Sequence, residues 1–365
     1  MGRPAAAVIY LDAARAGVPW LFDPASEELG ALAREADART GETPCDAAAL
    51  AADAPLLRTL MRERHFGVAN GVVPFPSEVL DAWEDLLARG PATWGEAVTV
   101  LQSDLQAALV DSHLRLRGAP YDDDPGGAAV EELELDGVLV VKVRRLIGDV
   151  ADERALVAWA DSADRHFAHE RIVVDLRGNR GGNDGHTYRW AERRLRATSG
   201  FGGDVTWMVG GRPLGNWNQS AWREARDGAD AVPQSLRAGR HEPRPDDELE
   251  TVEERYELEA GDRPWAGRML VLTDRATRSS GESSTWLLAR GLGATVAGEP
   301  TMGMIEYGNI VPYALPRSGL VINLPTKRND FGFPVERIGL PVDVPLDPGT
   351  PVEEIVARFD GFVRR

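Results

Sequence analysis

Two short apolar runs constrain what this chain can fold into more than anything else in it. RIVVDLRGNRGGNDG, residues 171 to 185, and RMLVLTDRATRSSGESSTWLLARGL, residues 268 to 292, each open on an unbroken apolar block. Each then empties at once into a polar turn rich in glycine or serine. An apolar block of that length without alternation is the pattern of a strand buried on both faces, which requires helices to cover the sheet. The surrounding sequence supplies them. VEELELDG and GVLVVKVRRL read as strands, ADERALVAWADSADRHF as a helix, and MLVLTD, ATVAGE, NIVPYAL and GLVINLP as later strands, with PRSG at 316 to 319 as a turn. Strand and helix alternate, so residues 131–365 are expected to form an α/β domain.

The first third has a different grammar. Residues 1–117 are rich in Ala and Leu at helical spacing, as in DPASEELGALAREADA and FPSEVLDAWEDLLARG, where Ser26 or Ser77 followed by acidic residues suits a helix start. This predicts an N-terminal helical subdomain. GAPYDDDPGGAAV, 118–130, reads as a linker, and 226–264, polar and rich in charge and proline, as an excursion or lid outside the core.

Composition narrows the partners. With 365 residues and 43% apolar content the chain can bury a substantial core. A formal net charge of −17 repels phosphate backbones and anionic lipid, so neither nucleic acid nor a membrane surface is an expected partner. The single cysteine, Cys45, cannot form an intrachain disulfide, and the N-terminal apolar run meets Asp12 and Arg15 too soon for a signal peptide or a membrane span. A cytoplasmic protein is expected, with a homo-oligomer left open.

The serine turn is the first candidate for chemistry. A nucleophile at the start of the helix after strand 269–273 would gain from the free backbone N–H groups and the positive end of the helix dipole, which stabilise a developing oxyanion. The ordinary explanation is equally concrete. Serine is a common N-cap, and Glu282 stands three residues after Ser279 as in a capping box. The glycine loop at 178–185 shifts the balance, because its backbone can approach a ligand and supply an oxyanion donor; it lacks the Lys-Ser/Thr ending of a phosphate loop.

Together, VVDLRGNRGGN and LVLTDRATRSSGE followed by GLGATVAGEPTMG resemble the tail-specific, or C-terminal-processing, serine peptidase family. The resemblance implies a ClpP/crotonase-like α/β core and selects Ser279 as nucleophile, with Ser280 as the register alternative. Members with a Ser–Lys dyad carry lysine shortly after the GEPT segment, where this chain has Met304. Methionine cannot take a proton, so another base is needed. The tricorn-core-like branch uses a histidine from the helical part. Ser112 and His113 in LVDSHLRLRG match its Ser-His pair, and Glu336 in PVERIGLPVDVPL matches its late glutamate.

The resemblance therefore implies a tetrad of Ser279 as nucleophile, His113 as general base and later acid, and Ser112 and Glu336 as polar partners of the imidazole. A histidine titrating near pH ~6.5 can fill that role. Backbone N–H groups of Ser280 and of Gly181 or Gly182 would form the oxyanion hole, and Arg177 and Arg180 are candidates to pair with a substrate carboxylate. No cofactor or metal is implied. The PDZ module common in the family, roughly 80 to 100 residues on ordinary domain sizes, has no room between Arg117 and the strand at 137.

The remaining histidines have ordinary readings. His166 and His169 lack a third ligand for zinc, His186 reads as a surface residue at a helix start, His65 either caps the site or packs, and His241 is solvated in the excursion. The expected function is serine-type hydrolysis of a peptide or small acyl substrate through an acyl-enzyme. Ester hydrolysis or acyl transfer by the same serine, and a non-catalytic peptide-binding role, remain as alternatives.

Overall fold

The computed structural model describes residues 38–39, 41–116, 126–148, 150–196, 202–210, 249–257, 260–315 and 317–363. In chain order the helices are α1 (Ala47–Arg64), α2 (Phe66–Ala69), α3 (Ser77–Ala88), α4 (Val100–Leu109), α5 (Val150–Asp161), α6 (Ala163–His166), α7 (Gly185–Ala191), α8 (Ser280–Leu292), α9 (Val352–Ala357) and α10 (Phe359–Phe362). The strands are β1 (Arg115–Leu116), β2 (Val130–Leu135), β3 (Val138–Val143), β4 (Arg171–Asp175), β5 (Gly202–Gly210), β6 (Leu249–Glu257), β7 (Arg268–Thr273), β8 (Thr295–Gly298), β9 (Tyr307–Ala314), β10 (Val321–Asp330) and β11 (Val344–Pro345). No described helix is long and apolar enough to cross a membrane.

These elements sort into two compact units that interleave along the chain. The first takes the described residues of Met1–Asp122, Val205–Glu254 and Tyr307–Asn329; the second takes Asp123–Asp204, Arg255–Glu306 and Asp330–Arg365. The sequence division near 117–131 therefore misses two later segments that join the first unit. Local pattern reports element type, whereas long-range pairing decides which unit an element joins.

In the first unit, α1, α3 and α4 bury Leu57, Leu60, Leu80, Trp83, Leu101 and Leu105 in one core with Tyr313 of β9 and Ile322 and Leu324 of β10. Helix α3 begins at Ser77 itself, with Pro76 at the cap position and no side-chain cap, so Ser77 is not the N-cap. Strand β10 pairs antiparallel with β9, from Val321 opposite Ala314 to Arg328 opposite Tyr307, and with β1 at Arg115 and Leu116. The sheet continues through β5 to β6. Residues 249–257, expected within an excursion, are thus a strand. The rest of the excursion up to 248, with His241, and the linker residues 118–125 lie outside the described residues, as does Ser26.

The second unit carries the α/β architecture the sequence predicts. Its six strands run β11-β8-β7-β4-β3-β2, all parallel except the β2–β3 hairpin. That hairpin turns on Asp136 and Gly137, both at positive φ (48° and 70°), the pair a type I′ turn demands. Alternate residues separate into two cores. Leu139, Val141, Ile172, Val174, Met269 and Val271 face one side with Trp159, Trp190 and Leu288 of the helices. Val140, Val173, Leu270 and Leu272 face the other with Ile355, Val356 and Phe359. Burial on both faces is what the unbroken apolar runs required.

Candidate active site

Strands β4 and β7 are parallel neighbours, with Asp175 opposite Leu272, so their carboxyl ends deliver the glycine loop and the serine turn to one place. In open α/β sheets that end is where ligands bind. The two segments are stitched together. Arg278 N–H donates to the Asn179 carbonyl at 2.9 Å and Thr277 Oγ1 to the Leu176 carbonyl at 2.9 Å. Gly178 N–H donates to the Asp274 carboxylate at 2.9 Å. A Cβ on Gly181 would stand 2.8 Å from Ser279 Cβ and 3.1 Å from Ser280 N, so the absence of a side chain is what lets the loop touch the serine.

Ser279 is the pivot between strand and helix. It takes φ 52°, ψ −122° at the N-cap of α8, outside the regions a non-glycine residue ordinarily occupies. Its N–H donates to the Met304 carbonyl at 3.0 Å and to Glu282 Oε2 at 2.9 Å. The other three serines of the turn are hydrogen-bonded through their hydroxyls. Ser280 Oγ donates to the Gly182 carbonyl at 2.7 Å, Ser283 Oγ to Asp184 at 2.6 Å, and Ser284 Oγ pairs with Thr187 at 2.8 Å.

Glu282 does more than the capping box suggests. Its carboxylate, fully buried, accepts from Ser279 N, Thr301 Oγ1, Gly303 N and Met304 N. One side chain therefore fixes the serine turn to the GEPTMGM segment. Burial pushes its carboxyl above the ordinary range, while the four donors oppose that shift. The resemblance identified Met304 by its side chain; the fold uses its backbone, which both receives the Ser279 N–H and donates to Glu282.

The oxyanion candidates separate. Gly181 N–H donates to Asn179 Oδ1 at 2.8 Å, so of the two glycines it is the one already engaged within the loop. Asn179, fully buried, completes the scaffold by donating its amide to the Val143 carbonyl at 2.8 Å. Gly182, at φ 132°, is packed so tightly that an added Cβ would sit 2.3 Å from the Leu146 carbonyl carbon. Gly182 and Ser280 remain as donor candidates.

Arg177 is corrected as a substrate ligand. Its guanidinium bonds Asp175 at 2.9 and 2.7 Å and donates to the carbonyls of Pro348 and Thr350, which makes it a strut between the strand end and the C-terminal segment. Arg180 stands half-buried in the same loop. Glu336, 6% exposed, receives the N–H groups of Ile305 and Glu306 at 3.3 and 3.2 Å, while Glu306 receives those of Val335 and Glu336. His186 is not a surface residue; it is largely buried at the start of α7, 3.3 Å from Glu153. His166 is wholly buried and accepts from Trp190 Nε1 at 3.0 Å.

Ser112 and His113 belong to the first unit, in the segment that leaves α4. The helix ends at Val110 in the left-handed region, and His113 is nearly buried. Its N–H donates to Asp111 Oδ1 at 2.8 Å, and Asp111 Oδ2 lies 3.1 Å from His65 Nε2. Asp111 carries no mark of a site residue in the sequence, and His65 has two readings there. The only available signal was a short Asp-x-His spacing, ordinary in a turn. Among the described residues there is no cluster of three or more His, Cys, Asp or Glu placed to hold a metal ion.

A mostly parallel α/β sheet thus brings a serine at a strand–helix turn beside a glycine loop. Residues 157–332 match the model of peptidase family S41. The match runs from within α5 to just past β10; it includes the glycine loop and the serine turn, begins after His113 and stops before Glu336. Among solved structures, the chain is similar to a "putative peptidase" from Parabacteroides merdae ATCC 43184, at 16% identity and TM-score 0.52, over 85% of this chain and 95% of that one. It is also similar to a lipoprotein from Streptococcus agalactiae (13% identity, TM-score 0.49, 87% and 98%). A third is the tricorn protease (14% identity, TM-score 0.41, 83% of this chain and 35% of that one). The first of these shows a shared fold; the other two, at their TM-scores, carry no argument. No curated protein is matched by the chain.

Proposed function

We propose that this chain is a serine peptidase of the tail-specific, tricorn-core-like kind, cleaving a peptide or amide bond through an acyl-enzyme on Ser279. His113 is the general base and then the general acid, with Ser112 and Glu336 as its polar partners. The observation that carries the reading is where the backbone is strained. Among the described residues four that are not glycine have positive φ: Val110 (49°), Asp136 (48°), Ser279 (52°) and Arg337 (64°). Asp136 is accounted for by its hairpin. The other three are the nucleophile itself, the residue that turns the chain toward Ser112 and His113, and the residue after Glu336. Such conformations cost of order 1–3 kcal/mol each and collect at sites where side chains must be held in place. These three lie in the segments that the family resemblance selects, which supports the reading.

In the proposed reaction Ser279 Oγ attacks the carbonyl carbon, and its proton passes to His113. The carbonyl π electrons move to oxygen, where the N–H groups of Ser280 and Gly182 receive the charge, each such donor being worth about 3 kcal/mol. Collapse breaks the C–N bond, and His113 returns the proton to the leaving amine. Water then gives its proton to His113 and attacks the acyl ester; collapse breaks the bond from the acyl carbon to Ser279 Oγ, and His113 returns the proton to that oxygen, releasing the acid and restoring both residues. Arg180 is proposed to meet a substrate carboxylate. The scheme uses no metal or organic cofactor.

Intact-mass analysis after treatment with diisopropyl fluorophosphate tests the assignment. One phosphoryl adduct is expected on the wild type, and none on Ser279→Ala or His113→Ala. An adduct retained in Ser279→Ala would move the nucleophile to Ser280. A well-folded wild type that takes no label would favour the peptide-binding alternative, and product formed only with an added amine or alcohol would favour acyl transfer.

A further inference from the structure

We propose that Asp111, braced by His65, is a positioning residue that sets the backbone of His113; the inference rests on the reading of His113 as the general base. The segment that carries His113 has no conformational preference to hold it. It leaves α4 through Val110 at φ 49°, ψ 46°, a β-branched residue in a region that glycine would occupy without strain. What holds it is side chains. Asp111 Oδ1 accepts the His113 N–H at 2.8 Å, and Gln106 donates its amide to the carbonyls of Ser112 (3.4 Å) and Leu114 (2.7 Å). The Ser112–His113 peptide group is thereby held at both its N–H and its carbonyl, and the peptide after Leu114 at its carbonyl.

Asp111 is in turn fixed from behind. His65 Nδ1 accepts the Val68 N–H at 3.3 Å where it caps α2, so the ring proton resides on Nε2, which faces Asp111 Oδ2 at 3.1 Å. The ring packs against Tyr307 at 5.8 Å between centroids. Carboxylate and imidazole are both 0% exposed, so neither meets substrate. A buried carboxylate is costly unless its oxygens are matched, and here each oxygen has a separate donor: one from the brace, one from the residue it positions. An apolar residue at 111 would avoid the desolvation cost but would release the His113 N–H. The pair therefore acts on His113 from outside the reacting atoms, as an orienting partner acts on a catalytic imidazole.

Inactivation by diisopropyl fluorophosphate, followed over a range of inhibitor concentrations, separates the limiting rate from the binding constant. In Asp111→Asn the Oδ1 and Oδ2 positions cannot both accept, and the limiting rate is expected to fall tenfold to a hundredfold with the binding constant unchanged. His65→Gln, which keeps a donor near the Nε2 position, should lose about threefold. Should Asp111→Asn not fold, His65→Ala, with Asp111 present but unbraced, carries the same expected fall. Hydrogen exchange at the His113 amide gives a readout independent of chemistry: protection in the wild type and its loss in Asp111→Asn. A folded Asp111→Asn inactivated on Ser279 at the wild-type rate overturns the inference while leaving the function intact. A His113→Ala protein labelled as fast as wild type overturns the function and this inference with it.

Discussion

The serine turn and the histidine segment solve one problem in two ways. Each holds a residue with positive φ, Ser279 or Val110, and each is centred on a fully buried carboxylate, Glu282 or Asp111. Around Ser279 most donors are main chain: the N–H groups of Ser279, Gly303 and Met304 converge on Glu282, and the Arg278 N–H ties the turn to the Asn179 carbonyl of the glycine loop. Around His113 it is done by side chains of Asp111, Gln106 and His65. An elbow built from backbone at the end of a sheet inherits the rigidity of that sheet, whereas one pinned by side chains depends on a few replaceable contacts.

The contrast is sharpest at Glu282. Its removal by Glu282→Ala would leave the Gly303 and Met304 N–H groups and the Thr301 hydroxyl without their acceptor in the interior, and a loss of about 4 kcal/mol is expected by chemical denaturation. A loss under about 1 kcal/mol would mean that the serine turn holds itself without the carboxylate, and the comparison would fail.

Next comes Gly181→Ala. The methyl would meet Ser279 Cβ at 2.8 Å from a backbone at φ 89°, so a cost of about 2 kcal/mol is expected, with phosphonate labelling of Ser279 reduced at least tenfold. Normal labelling would show that the loop can retreat from the serine.

The buried histidines extend the comparison, since His65 faces a buried carboxylate whereas His166 accepts from Trp190 Nε1. Burial lowers the proton affinity of His166 below the ordinary histidine value, against the pull of Glu132. As pH falls below ~6.5 the unfolded chain therefore binds that proton first, and stability is lost at up to about 1.4 kcal/mol per pH unit until the lowered folded value is reached. Thermal midpoints measured from pH 7.5 to 5 should fall more steeply for wild type than for His166→Asn, which keeps an acceptor but cannot titrate; equal slopes would refute the assignment.

The smallest effect is expected at Val110→Gly. Relief of left-handed strain, partly offset by the greater freedom of glycine in the unfolded chain, should stabilise by roughly 0.5–1 kcal/mol. The side chain is 46% exposed, so little packing is lost. A net loss of stability would show that the Val110 side chain contributes more than its exposure suggests.

Much of the second unit was legible because its signals are local. An unbroken apolar run such as Arg171–Asp175 can be buried on both faces only in a covered sheet, and Asp136-Gly137 can turn only one kind of hairpin. The serine turn was legible as a cap, and its Ser-x-x-Glu spacing did form on the glutamate side. Illegible were the four-donor hub that Glu282 becomes, the engagement of Gly181 with Asn179, the closing of Arg177 onto Asp175, and the pairing of His65 with Asp111. Each depends on partners brought together from separate elements, or on which of several adjacent N–H groups the backbone turns inward.

By itself, then, the sequence determined which segments are strands and helices and where the polar turns fall, since periodicity and turn chemistry act over a few residues. Only the tertiary structure decided that the described residues of 205–254 and 307–329 join the first unit, and which donor each buried carboxylate receives. Burial and hydrogen-bond satisfaction are properties of residues remote in the chain, and a desolvated group takes whatever partner the packing places beside it.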